Sequence, residues 1–555
     1  MTGKTIIYQM LPRLWGNDNT NRKRNGNLSD NGSGKFSDID VESLDYLKWL
    51  GCSHVWYTGV IRHSTQTDEA GCIPSHPQFV KGKAGSPYAI CDYYDVNPYL
   101  ADNPDERMAE FESLIRRTHD AGLKVIIDFV PNHVARDYGR TTFTPGHPVL
   151  GEGDDKTVHW APENDFFYYP SEELRLPTPC PKGMAPYHEK PAMATGNNCY
   201  SAAPGINDWY ETVKINYCDT HTSTWDKMYD IIAFWASKGV DGFRCDMVEL
   251  VPREFFSWLI SKAKKEFNDI IFIAEVYKKE LYGDYIRNVG FDYLYDKSGM
   301  YDTLRSIVEK NVDDNGMPVG LWQSATGITR NWQFLADLQP YMLNFLENHD
   351  EQRFASDYFA KDASRTFAPL YASLFLNTSP FMIYFGQEVG EKGMDEEGFS
   401  GLDGRTTIFD WWSIDSVQRL RKVIHSGAYR SIETERLMEN GLEKKEAEFF
   451  CRFAESIRTA VSDAALSKGT TYDLSYCNFS SDGFNKDRHF AFLRDYEDHT
   501  VLVVSNFSTN DSKMSITIPQ HAFEWMGIPV TEDMHPGTVI EVKVPAMDAV
   551  MITLI

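Results

Sequence analysis

Four short segments of the 555-residue chain collect the side chains that acid–base or nucleophilic chemistry requires. DFVPNH (128–133) offers Asp128, Asn132 and His133, and DGFRCDMVEL (241–250) carries Arg244 and Asp246. IIFIAEV (270–276) delivers Glu275 after an apolar run, and FLENHD (345–350) ends in His349 and Asp350. Strand alternation puts Arg244 and Asp246 on one side, with Phe243, Cys245 and Met247 on the other. A carboxylate in an apolar strand is costly unless it is paired or functional, and repeating that cost at four strand ends is hard to explain as packing. Two other readings stand beside catalysis: Arg244–Asp246 and His349–Asp350 as ion pairs that stabilise a rim, or His133, Asp246, Glu275 and His349 as metal ligands. Against the metal, no H-x-H or H-E-x-x-H pair occurs, and Arg244 would repel a cation.

The elements that must position these residues alternate along the chain. Eight apolar runs read as strands: Ile6–Leu11, His54–Val60, Lys124–Val130, Val240–Met247, Ile270–Val276, Asp292–Tyr295, Tyr341–Asn348 and Pro380–Glu388. Helical patterns lie between them, among them Asp40–Leu50, Pro104–Ala121, Asp226–Lys238 and Pro252–Phe267, and Gly51, Gly122 and Gly239 stand as stop signals. The expected fold is α/β: a (β/α)₈ TIM barrel, whose chemistry belongs at the C-terminal strand ends. Some ninety residues rich in Pro, Gly, Asn and Tyr interrupt the rhythm, too many for a structureless loop, and read as a subdomain inserted after strand 3. From about Lys468 onward, runs such as HFAFLRDY and TVLVVSNFS predict a C-terminal antiparallel β-sandwich. The expected domains are therefore 1–133 and 226–467 for the barrel, 134–225 for the inserted subdomain and 468–555 for the sandwich.

Composition narrows the partners. The formal net charge of −25 argues against nucleic acid or an anionic membrane, and no apolar stretch is long enough to insert in a bilayer. Abundant aromatics (14%) suit a sugar cleft and an ordinary core equally. The nine scattered cysteines, without a C-x-x-C pair, favour free thiols in a reducing compartment. The opening TIIYQMLPRLWG is strand-like rather than a signal, so a cytoplasmic location is expected, with a periplasmic or secreted one if a signal peptide has been removed. Nothing in the sequence sets an oligomeric state. The Asn- and Gly-rich loop Gly16–Gly34 reads as a solvated loop, with a hard-cation site as the alternative.

With these segments in place, the chain resembles the α-amylase family, glycoside hydrolase family 13. DFVPNH, GFRCDMVEL (242–250), FIAEV (272–276) and FLENHD stand in the family's order with family-like separations, joined by YAICDYYDVNP (88–98) and FMIYFGQEVG (381–390). The resemblance implies Asp246 as nucleophile, Glu275 as acid and base, and Asp350 as the group that holds and distorts the glucose. It implies Arg244 as the partner that keeps Asp246 ionised, His133 and His349 as hydrogen-bond partners of the same glucose, Tyr88 as the ring beneath it, and Asn132 as a calcium ligand. A retaining mechanism needs one ionised carboxylate and one of raised pKa roughly 5 Å apart, and desolvation at the end of IFIA is expected to raise Glu275.

The chain also departs from the family. Glu249–Leu250 replaces the lysine that many α-amylases place against the acceptor sugar and the histidine whose carbonyl ligates calcium. ETVKINYCD (211–219) is the nearest match to a further family motif and is given no catalytic role. The expected function is retaining hydrolysis of α-1,4 bonds in maltooligosaccharides or starch fragments, with no cofactor required beyond a possible Ca²⁺. The alternatives are an exo-acting α-glucosidase or α-1,6-glucosidase, an α-glucan transglycosylase, and, outside enzymes, an inactive carbohydrate-binding barrel. Trp411 and Trp412 read either as a sugar platform or as packing against the C-terminal domain, and Cys245 as a small core residue.

Overall fold

The computed structural model describes residues 3–140, 143–218, 220–309, 324–393 and 398–555; residue 219, the last of the 211–219 segment, lies outside them. Eight parallel strands close into a barrel: β1 (Ile6–Met10), β2 (His54–Tyr57), β3 (Lys124–Phe129), β4 (Gly242–Cys245), β5 (Ile271–Ala274), β6 (Tyr293–Tyr295), β7 (Met342–Phe345) and β8 (Phe381–Tyr384). Each pairs with its neighbours in sequence order, and β1 closes on β8 through Ile6–Phe381 to Gln9–Tyr384. The strands are near-continuous apolar runs because both faces are buried, one by the barrel interior and one by the helices.

Those helices obey the expected punctuation. Helix α1 (Val41–Leu50) starts where the Asp40 carboxylate accepts the Ser43 N–H and stops at Gly51, whose φ of 105° only glycine adopts without strain. Helices α2 (Arg107–Asp120), α3 (Ser223–Ser237) and α4 (Arg253–Glu266) follow β2, β3 and β4. Between β3 and α3 the chain leaves the barrel and builds two short antiparallel pairs, His133–Ala135 with Thr212–Lys214 and Tyr168–Tyr169 with Ala192–Met193. Its interior is locked by the Arg136–Glu189 ion pair, 2.8 Å long and fully buried.

The C-terminal region contains β9 (Thr470–Asp473), β10 (His489–Tyr496), β11 (His499–Asn506), β12 (Ser512–Thr517), β13 (Val539–Val544) and β14 (Asp548–Thr553). Strands β9, β10, β11 and β14 form one sheet and β12 and β13 a second, around a separate core that includes Leu493, Leu502, Ile516 and Val542. Arg494 ties this unit to the barrel by donating to the Phe375 carbonyl at 3.1 Å. Among the described residues no helix is long and apolar enough to cross a membrane, and no two cysteines are joined in a disulfide.

Several strands are shorter than their apolar runs suggest, and the reason bears on function. The run 240–247 is extended only to Cys245, because Met247 turns into the left-handed region (φ 47°). The run 380–388 likewise ends at Tyr384 and enters a helical turn at Gln387–Val389. The 16–34 loop is fastened rather than merely solvated: Asn17 and Asn31 donate to the Trp412 and Trp411 carbonyls, and Arg421 holds Asp18 at 2.7 Å. Trp411 and Trp412 are buried, which removes the sugar-platform reading. Trp411 meets Tyr99 edge-on and lies under Arg13, so it packs the barrel rim and not the C-terminal unit.

Candidate active site

Register decides which side chains meet at the top of the barrel. Arg244 on β4 lies level with Asp128 on β3 and Ile273 on β5. Its guanidinium is fully buried, with the Trp56, Tyr88 and Tyr295 rings each within 5.5 Å of its carbon. Nη1 donates to Asp246 Oδ1 at 2.6 Å, and Nη2 stands 2.9 Å from Glu275 Oε2. One cation therefore serves two buried carboxylates from neighbouring strand ends. Side chains alternate along this strand as expected: Arg244 and Asp246 meet, while Cys245 is core and its thiol is pushed well up by burial.

Glu275 is gripped from two further directions, since Oε2 accepts the Met247 N–H at 2.9 Å and Oε1 accepts the Tyr277 hydroxyl at 2.5 Å. The left-handed turn at Met247, strained for a residue with a side chain, aims that amide at the carboxylate. Burial, then the charge of Glu275, push the Asp246 carboxyl well above the usual carboxylate range against the pull of Arg244. The Asp246 carboxyl is raised because its neighbour's negative charge adds to its own desolvation.

Asp350 differs from both. Its side chain is 42% exposed and 3.1 Å from His349 Nε2. Burial pushes it up, but His349, with Arg244 and Arg405, outweighs that and holds it down at about 2. His349 is fixed from its other side by Gln9 at 2.8 Å and lies against the Tyr88 ring, whose hydroxyl is 2.5 Å from Nε2. The Tyr88 hydroxyl also reaches Asp128 Oδ1 at 3.2 Å, where burial keeps the carboxyl raised. His133 lies on the pair leaving the barrel, 5.3 Å from the Trp209 ring, and burial lowers it to about 3, so it is a neutral imidazole.

The structure thus brings Asp246, Glu275, Asp350, Arg244, Tyr88 and His349 into one cluster. Sequence reasoning missed Gln9, Trp56, Tyr277 and Tyr295. Of these, only Tyr277 carried a signal, as an aromatic two residues beyond a strand-end glutamate. Glu249, where many family members carry lysine, turns inward: its Oε1 accepts the Tyr277 and Lys278 amides at 2.7 and 2.6 Å.

Asn132 does not present a free oxygen to calcium. Its Oδ1 accepts the Lys214 ammonium and its Nδ2 donates to the Gly196 carbonyl at 2.8 Å. The Leu250 carbonyl, at the position where the resemblance expects a calcium-ligating carbonyl, also accepts from Lys214 Nζ, at 2.8 Å. An ammonium shared by both oxygens does not fit a divalent ion beside it. Among the described residues no group of three or more His, Cys, Asp or Glu side chains is placed to hold a metal.

Comparison with known proteins agrees with this architecture. Residues 19–446 match the family model Alpha amylase, catalytic domain. Alpha-amylase 3 of Dictyoglomus thermophilum is 24% identical over 379 residues, 66% of this chain and 62% of that protein. The trehalose-6-phosphate hydrolase of Bacillus subtilis is 25% identical over 260 residues, so that the chain spans only 36% of its length. The cyclomaltodextrinase of a Bacillus species is 22% identical over 90% of this chain and 72% of its own. Among solved structures, a debranching enzyme of Nostoc punctiforme superposes with a TM-score of 0.63 at 17% identity, covering 99% of this chain and 97% of that one. The chain spans less than two thirds of the length of these first two relatives, and it belongs to the alpha-amylase family, whose catalytic domain it carries over residues 19–446.

Proposed function

We propose that the protein is a retaining α-glucan hydrolase that cleaves α-1,4 bonds of maltooligosaccharides or starch fragments by double displacement. The observation that carries this reading is the Arg244 guanidinium held between Asp246 and Glu275. A shared guanidinium keeps two carboxyls near each other, as a covalent glycosyl-enzyme mechanism requires at about 5 Å, whereas an inverting pair stands apart to admit water.

In this reading Asp246 attacks the anomeric carbon as the carboxylate and Arg244 holds the attacking group in line. Glu275 gives its proton to the departing oxygen, then takes one from the incoming water. Asp350, ionised and open to the cleft, binds sugar hydroxyls and favours the oxocarbenium-like state. Tyr88 and His349 form the wall against which that sugar lies. Nine cysteines with no disulfide among them are in keeping with a cytoplasmic placement, and the net negative charge suits a neutral oligosaccharide better than a polyanion.

The test is an anomer-resolved NMR time course with maltoheptaose, run with Asp246→Asn in parallel. Mid-sized α-anomeric products formed only by the wild type are expected. Glucose alone would replace this reading with an exo-acting α-glucosidase, longer chains with a transglycosylase, and β-anomers would overturn the retaining mechanism.

A further inference from the structure

Lys214 lies outside the carboxylate cluster, yet its side chain is almost wholly buried at 5% exposure. Among the described residues no carboxylate lies within ion-pair distance of it. Burying an ammonium without a counter-charge is costly: burial pulls the Lys214 pKa down to about 7, and its charged form is supported by hydrogen bonds to two oxygens. Those oxygens belong to two different strand-end turns. Asn132 ends the turn after β3, and Leu250 ends the one after β4. Lys214 itself is on a third segment, the strand paired with His133–Ala135. From Leu250 the chain of contacts runs to the reacting groups: the Leu250 N–H donates to the Met247 carbonyl at 3.0 Å, and the Met247 N–H donates to Glu275 at 2.9 Å. Asp246 is the residue immediately before that turn.

We propose that Lys214 is a positioning residue whose ammonium does the work of a bound cation, tying the 132 and 250 turns to the inserted segment so that the Met247 amide stays aimed at Glu275, and that catalysis here needs no divalent metal. The inference rests on reading Asp246 and Glu275 as the reacting pair. Without the ammonium the Leu250 carbonyl loses its anchor, the strained Met247 turn relaxes, and Glu275 loses a donor. Asp350 and His349 stand at a different strand end from this tether, so turnover should suffer more than binding.

The experiment uses the full chain as wild type, Lys214→Met and Lys214→Arg. Three readouts are taken: the thermal midpoint with excess EDTA and with added CaCl₂, hydrogen exchange of the peptide covering 246–251, and kcat and KM on maltoheptaose. Wild type is expected to show the same midpoint and turnover with either addition. Lys214→Met is expected to exchange about tenfold faster over 246–251 and to lose about 10- to 100-fold in kcat, with KM changed by less than about threefold. Lys214→Arg, which keeps the charge, is expected to exchange more slowly than the Met variant. A wild-type midpoint that falls with EDTA and recovers with calcium overturns the proposal. So does a Met variant with unchanged exchange and kcat, or an Arg variant that exchanges as freely as Met. If Lys214→Met does not fold, the chelation arm on wild type and the Arg variant compared with wild type still decide: an Arg variant that exchanges about tenfold faster than wild type over 246–251 overturns the proposal. A wild type that turns over no α-glucan defeats the functional reading alone, since midpoint and exchange report the tether directly.

Discussion

Replacing Arg244 tests how one cation governs two carboxylates. In Arg244→Met, Asp246 loses a contact of 2.6 Å and Glu275 one of 2.9 Å, both in a buried setting. With charge centres about 4 Å apart and an effective dielectric near 20, the lost attraction is about 4 kcal/mol. At about 1.4 kcal/mol per pH unit this sets a ceiling of about three units on the rise of the Asp246 carboxyl. Water entering the gap screens part of it, leaving an expected rise of about one to three units. The nucleophile works as the carboxylate, so the acid limb of kcat/KM against pH moves upward by that amount, and activity at neutral pH falls steeply. A lysine in place of the arginine keeps the charge but reaches only one carboxylate well, so Arg244→Lys is expected to show a smaller shift with a clear loss of kcat. The assay is the pH profile of maltoheptaose hydrolysis, with a thermal melt of each variant to establish folding. An Arg244→Met acid limb in the wild-type position, with only the amplitude reduced, would refute the electrostatic role and leave Arg244 a packing residue.

Other outcomes follow from the same geometry. Asp246 is raised in the folded state, so its ionised form weakens the fold as pH rises through the folded value; Asp246→Asn is expected to melt higher than wild type at pH 8, with the advantage shrinking toward pH 4. Asp350 has the opposite sign: held at about 2, it contributes stability above its unfolded value and loses it as pH falls through the folded one. A nominal contribution of about 2.5 kcal/mol is discounted to about 1 kcal/mol for a carboxyl 42% exposed, so Asp350→Asn should lower the neutral-pH midpoint. Tyr277→Phe removes a donor from Glu275 and is expected to cost about tenfold in kcat on maltoheptaose. Hydrolysis of nitrophenyl α-glucosides, whose leaving group needs little protonation, should change less than about twofold.

Much of this arrangement was legible from the chain because barrels put polar side chains at the ends of apolar strands, where they stand out. Arg244, Asp246, Glu275, His349 and Asp350 all announce themselves in that way, and glycines 51, 122 and 239 mark the helix ends. What stayed hidden depends on contacts across the fold. Gln9 and Trp56 sit inside ordinary apolar runs, and nothing local says that they support His349 and Arg244. Lys214 belongs to an irregular insertion whose pairing with His133 no periodicity reveals. That the Asp246 carboxyl is raised despite its arginine was hidden too, because like charges act through space and strand patterning records only burial. Glu249 reads as a missing acceptor contact in sequence, whereas in the fold it clamps the Tyr277–Lys278 amides.

The most direct measurement is covalent trapping. The wild type is incubated with a fluorinated α-glucosyl fluoride that forms the glycosyl-enzyme faster than water releases it, and the adduct is mapped by peptide mass spectrometry. One added sugar is expected on the carboxylate of Asp246, absent from Asp246→Asn. An adduct on Asp350, Asp128 or Glu275, with Asp246 unmodified, would contradict it.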